Sequence, residues 1–151
     1  MFLNILVAFD GSPSAWAALR QAVDLARAEN AKLTILSVRP PLPSFAYRSG
    51  VSVERLKEEA DEEVAEFLRE ARASLPDDVS ATTIQREGHA GEEIVRQVEE
   101  GHHDLVVLGT RRWGRFRANV FGSVNAYVHF HSTVAMLIVS LTDSDDEVGP
   151  A

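Results

Sequence analysis

Four arginines, Arg111, Arg112, Arg115 and Arg117, fall within seven residues, in a segment that also holds Gly109, Gly114 and Gly122. From Gly109 to Asn125 the chain reads GTRRWGRFRANVFGSVN. Glycines let a backbone approach a ligand closely or take a positive φ. Gly122-Ser123 stands where a helix is expected to begin, and the free N–H groups and dipole of a helix start favour an anion. No Asp or Glu occurs between Asp104 and Asp143, although the whole chain carries a formal net charge of −8. The chemistry that suits this segment is the binding of a phosphate-like anion. The alternative is a solvated loop whose glycines only turn the chain.

Other chemistries find less to work with. The chain has no cysteine, which removes thiolate catalysis, iron–sulfur clusters and Cys-based zinc sites. Phe9–Pro13 reads FDGSP, so the dinucleotide turn G-x-G-x-x-G is absent, as are Walker A and G-x-S-x-G sequences. The histidines are His89, His102, His103, His129 and His131. Neither pair has the i,i+4 spacing that sets two ligands on one helix face, so no metal site is expected. His131 is better read as a favourable partner for a helix C-terminus. Asp10 stands alone, without a second carboxylate to hold magnesium. An acidic chain is also a poor binder of nucleic acid, whose phosphates repel it.

The elements that must position the arginine and glycine segment alternate in type. Leu3–Phe9 is an apolar run and reads as a buried strand, not as a signal peptide. Residues 14–29 carry Trp16, Leu19, Val23 and Ala26 at helical spacing, with Ser12 as N-cap and Pro13 as first helical residue. Lys32–Val38 reads as a second strand. Residues 39–50, with three prolines, read as an irregular loop. Val53, Leu56, Ala60, Val64, Phe67, Ala71 and Leu75 mark a charged amphipathic helix that Pro76 stops. A polar edge strand follows at Val79–Arg86, then a turn over Gly88–Gly91, a helix at Glu92–Glu100 and a strand at Leu105–Leu108. A fourth helix is expected from near Gly122 to about Ser132, and a last strand at Val134–Leu141.

Alternation of apolar strands with helices predicts an α/β fold: a doubly wound parallel sheet covered by helices on both faces. One domain is expected over residues 1–142, and an acidic, disordered tail over 143–151. In such sheets ligands bind beyond the C-terminal ends of the strands, where the winding reverses. That rule points to Asp10–Ser14, Arg39–Gly50 and Thr110–Phe121. No apolar run approaches the roughly 20 residues of a membrane-spanning helix. Membrane insertion is not expected, and a cytoplasmic location is.

At these residues the sequence resembles the universal stress protein family over residues 3–141. The resemblance rests on ILVAFDGS at 5–12, Leu33–Val38, DLVVLGT at 104–110, GSVN at 122–125, His131, and LIV at 137–139. Nucleotide-binding members carry G-x-x-G-x9-G-[S/T]. Here Gly109 opens the motif, and nine residues, Trp113–Phe121, precede Gly122-Ser123. The resemblance implies a five-stranded sheet of order 3-2-1-4-5 and a homodimer paired through the last strand, Val134–Leu141. It implies an adenine nucleotide (ATP, ADP or AMP), with magnesium where ATP binds. By that carry-over Val38 contacts adenine, Asp10 faces ribose or adenine, and Gly109 binds ribose or phosphate. Gly122, Ser123, Val124 and Asn125 hold the phosphates. The flanking Ala8, Phe9, Leu108 and Arg111 complete the candidate site, together with Arg112.

Arg112 is also the main departure, because it stands where the family has its second glycine. A non-glycine residue held in a left-handed conformation costs about 1–3 kcal/mol. Either Arg112 folds into the cradle and excludes a triphosphate, or Gly114 becomes the hinge and Arg112 pairs with phosphate oxygens. Thr133-Val134-Ala135, where prolines are usual, is a lesser departure. Three readings follow: a nucleotide-binding regulatory module, a nucleotide-free dimeric interaction module, and a nucleotide-hydrolysing or nucleotide-transferring enzyme. No general base is placed for the third.

Overall fold

The structure is a computed structural model that describes residues 1–111 and 122–141. The tail expected at 143–151 lies outside the described residues. The chain runs β1 (Asn4–Ala8), α1 (Pro13–Glu29), β2 (Lys32–Arg39), α2 (Val53–Ala73), β3 (Ala81–Glu87), α3 (Ala90–Glu100), β4 (Leu105–Arg111), α4 (Ser123–His131) and β5 (Ala135–Leu141). The strands form one parallel sheet of order β3-β2-β1-β4-β5. The fold class read from the sequence is therefore the observed one.

Alternation along the strands divides the interior into two cores. Ile5, Val7, Leu33, Ile35, Leu105 and Val107 face α1 and α2, where Leu19, Ala22, Val64 and Leu68 close over them. Leu6, Leu36, Val106 and Leu108 face the other way and pack with Ile94, Val98 and Val128 of α3 and α4. The start of β1 is tied down by Asp104, whose carboxylate accepts from the N–H groups of Leu3 (2.8 Å) and Asn4 (3.0 Å).

Several boundaries differ from the sequence reading, three of them near the strand ends and turns that border the site. The proline-rich loop is not wholly irregular: Ser44–Arg48 forms a 3-10 helix, and Arg39 still belongs to β2. Only Ala46 of that short helix is buried, and this one anchor has too little periodicity to be read. β4 runs three residues past Leu108, because Gly109, Thr110 and Arg111 pair with Val139, Ser140 and Leu141 of β5. α3 begins at Ala90 and takes in Gly91, against which the Tyr127 ring packs; a Cβ there would lie 2.8 Å from the ring.

Candidate functional site

Winding reverses between β1 and β4, and a cavity of about 180 Å³ opens beyond the C-terminal ends of the strands at that point. Its floor is the α3/α4 side of the sheet: Ala8, Leu36, Val38 and Leu108. Ala90 and Ile94, four apart on α3, form one wall. Val124 and Asn125 of α4 form another. Asp10, Ser12, Ser14 and Ala15 close the side toward α1.

Phe9 belongs to the site through its main chain. Its ring turns to the opposite core, edge-on to Trp16 at 5.0 Å and to Phe67 at 6.0 Å. The Phe9 N–H donates to Leu36 O (2.8 Å), and the buried Ser37 hydroxyl donates to Phe9 O (2.5 Å). The ends of β1 and β2 are thereby fixed to each other beneath the cavity.

Asp10 works on its own loop. Its Oδ1 accepts from the Ser12 N–H (3.0 Å) and from the Ser12 hydroxyl (2.5 Å). Ser12 Oγ also accepts from Ala15 N–H at 3.2 Å, which caps α1. The Ser12 proton being spent on Asp10, Ser14 must be the donor in the 3.1 Å contact between the two hydroxyls. Gly11, at φ +78°, makes the tight turn possible. The exposed Asp10 has no partner for Oδ2 among the described residues.

The two terminal glycines of the motif differ. A Cβ on Gly109 would lie 2.4 Å from the Ser14 carbonyl oxygen, so the close approach of β4 to the start of α1 alone requires glycine. Gly122 has an ordinary φ of −55°, and a Cβ there would meet nothing within 4 Å among the described residues. It is the N-cap of α4 and supplies no side chain to the helix start. The N–H groups of Ser123, Val124 and Asn125 therefore begin the helix without a side-chain cap. Asn125, 4% exposed, reaches the cavity wall with no partner for its amide among the described residues.

The structure thus brings Ala8, Phe9, Asp10, Val38, Leu108, Gly109, Val124 and Asn125 to one cavity. Gly122 and Ser123 stand at the head of α4 beside it. The backbone of Arg111 ends β4, and Arg112 lies outside the described residues. Ser12 and Ser14 fall in the Asp10–Ser14 loop to which the sequence pointed without being named as site residues, whereas sequence reasoning missed Ala15, Leu36, Ala90 and Ile94 as wall residues. Leu36 was within reach, two positions before Val38 on one face of a strand. Among the described residues Asp10 is the only carboxylate on the wall, and no group of three or more His, Asp or Glu able to hold a metal occurs. The described donors do not fit a protein-held magnesium ion.

A second polar cluster sits apart from the cavity. Arg86 donates to Gln97 Oε1 at 2.6 Å, which turns the Gln97 amide N–H toward His103 Nε2 at 3.2 Å. Nε2 must then accept, so the neutral ring carries its proton on Nδ1. His103 is 8% exposed, and burial pushes its pKa below the ordinary 6.5; Asp104 opposes the shift and His102 adds to it. The folded state holds this ring neutral. Its contribution is complete above pH 6.5 and is lost as pH falls below that value. Thermal melts from pH 7 to 5 are expected to show a smaller fall in Tm for His103→Gln, which keeps an acceptor, than for the wild type. Equal falls would contradict the assignment.

With the geometry in place, known proteins provide a comparison. The model of the universal stress protein family matches residues 1–140. The chain is 31% identical over 147 residues to universal stress protein YxiE of Bacillus subtilis, covering 92% of this chain and 99% of that one. A crystal structure of a universal stress protein family member from Burkholderia pseudomallei superposes with a TM-score of 0.73 at 26% identity, over 90% of this chain and 94% of the other. A universal stress protein crystallised in complex with cAMP superposes with a TM-score of 0.62 at 26% identity, over 93% and 98% of the two chains.

Proposed function

The chain belongs to the universal stress protein family, and on that premise we propose that it is a regulatory module that binds an adenine nucleotide rather than turning one over. One observation carries the reading: an apolar slot between β2 and α3 ends at the uncapped start of α4. A flat base suits the slot between Val38, Leu36 and Ala90, a ribose hydroxyl suits Asp10 Oδ2, and phosphate suits the N–H groups of Ser123, Val124 and Asn125. Gly122 supports the reading, because the described fold itself gives no reason for a glycine there. The structure of a relative in complex with cAMP supports the ligand class. In this reading magnesium accompanies ATP on its phosphates.

Homodimerisation through β5 belongs to the same proposal. Ala135–Leu141 is an edge strand whose residues 136–139 are only half-buried, and a bare apolar edge templates association. The cytoplasm is the proposed compartment, to be checked by cell fractionation. Calorimetric titration with AMP, ADP and ATP is expected to give saturable heat, on protein that runs as a dimer in light scattering. Ligand at about 100 times Kd should add roughly 2.7 kcal/mol to stability. No heat and no rise in Tm at millimolar nucleotide would overturn nucleotide binding, and a micromolar monomer would overturn the dimer. The second reading, a nucleotide-free dimer, is favoured by Arg112 in the place of glycine; nucleotide carried through purification would end it.

A further inference from the structure

Arg39 reads in the sequence as the first residue of a proline-rich loop, but it is among the most buried charged side chains of the described structure, at 6% exposure. Its Nε donates to Asp61 of α2 at 2.5 Å, its Nη2 donates to Glu87 of β3 at 2.9 Å, and its Nη1 donates to Pro40 O at 3.3 Å. Its own carbonyl accepts from the Gly88 N–H at 3.0 Å. One residue is thus bonded to α2, to the end of β3, to the β3–α3 turn and to the chain that leaves β2.

Those four attachments lie directly behind the cavity. Val38, one residue earlier, faces the α3/α4 side and lines the floor. Ala90, two residues beyond Gly88, starts the opposing wall. The distance between Val38 and Ala90 is therefore set through the Arg39 main chain, and the Arg39 side chain holds that main chain still. The partners suit the task. Asp61 and Glu87 are each about half-exposed, at 51% and 46%, and keep part of their hydration while the guanidinium gives up nearly all of its own. Burial works against the charge, but the bonds to Asp61 and then Glu87 outweigh it and raise the pKa. Gln85 steadies the arrangement by donating to the Asp61 carbonyl at 3.1 Å. Only a planar, forked cation reaches two carboxylates on different elements and a carbonyl together.

We infer that Arg39 is a positioning residue for the ligand cavity: its fork to Asp61 and Glu87 fixes the gap between the end of β2 and the β3–α3 turn into which the ligand's flat group inserts. The inference rests on the nucleotide reading for the identity of that group, and on the structure alone for the gap. Arg39 itself does not line the cavity. It acts by preorganising Val38 and Ala90, so its loss appears as a wider, more mobile slot and weaker binding.

The test uses Arg39→Met, which keeps the apolar stem without the guanidinium, and Arg39→Lys, which keeps the charge without the fork. Arg69→Ala, removing an exposed ion pair with Glu62, is the control. Hydrogen exchange is followed at the backbone amides of Val38, Arg39 and Gly88, the last of which donates to Arg39 O, and AMP is titrated into each protein. Both Arg39 variants are expected to exchange at least about tenfold faster at those residues, and to bind AMP about three- to tenfold more weakly, with exchange in α1 unchanged. Folded variants with wild-type protection at Val38, Arg39 and Gly88 would overturn the inference, whatever happens to AMP. Wild-type protein that binds no AMP would overturn the nucleotide reading, and exchange would still decide for or against the clamp.

Discussion

Gly109→Ala is expected to lower the urea midpoint by roughly 1–2 M, a loss of about 3 kcal/mol from a domain whose whole stability is of the order of 5–15 kcal/mol. The added Cβ would sit 2.4 Å from Ser14 O, 2.7 Å from Ser14 C and 3.2 Å from Ala15 N. All three are backbone atoms, so no rotamer change relieves the overlap. β4 must move away from α1, yet both ends of the contact are fixed: β4 is paired on either side by β1 and β5, and α1 is capped by Ser12. Gly122→Ala provides the contrast. Open space around it among the described residues predicts a midpoint within about 0.3 M of wild type, with the loss falling on phosphate binding instead. Chemical denaturation of the two variants side by side checks both. A Gly109→Ala protein as stable as Gly122→Ala would show that β4 and α1 do not approach as described.

Asn125→Asp is expected to weaken phosphate-bearing nucleotides by at least about thirtyfold, at a measurable cost to the stability of the empty protein. The substitution is nearly isosteric. It places a carboxylate in the first turn of α4, where the helix dipole favours a negative charge by about 0.3–1 kcal/mol, and this offsets part of the burial cost at a residue 4% exposed. A nucleotide phosphate in the same place meets a like charge. At about 4 Å and an effective dielectric constant near 20, that repulsion is about 4 kcal/mol. Adenosine, which has no phosphate, should lose far less than AMP. Titration of both ligands into both proteins checks the pattern. Equal losses for adenosine and AMP would mean that the phosphate lies elsewhere.

The parts of the fold legible in the sequence were those where one physical effect dominates. Ile5–Val7 and Leu33–Leu36 are buried on both sides and read as strands by continuity of apolar residues. α2 announces itself because it is exposed on one side only. The end of β4 did not, because Gly109, Thr110 and Arg111 have no strand-like chemistry of their own and are drawn into the sheet by pairing with β5. Arg39 was hidden for a related reason: a charged residue before two prolines looks solvent-facing, and only Asp61 and Glu87, 22 and 48 positions away, make its burial possible. Within the site, the motif spacing drew attention to both terminal glycines, but not to their different reasons. Gly109 is demanded by Ser14, while Gly122 is free of any such neighbour among the described residues. That difference comes from packing between distant segments, which spacing along a chain does not encode.

The place of β1 in the sheet bears on how the chain matures. It is the earliest of the five strands in chain order, yet it lies in the middle, pairing Ile5, Leu6 and Val7 with Leu105, Val106 and Val107. A nascent chain can lay β2 and then β3 against one edge of β1 as they emerge. The other edge must wait for about a hundred more residues, and its closure is marked by Asp104 taking the N–H groups of Leu3 and Asn4. Pairings of such long sequence separation are slow to form. Until they do, the β4 edge of β1 lacks its neighbour, and the cavity at the winding reversal does not exist. The cavity is therefore a late product of folding, completed only when the two halves of the chain have joined.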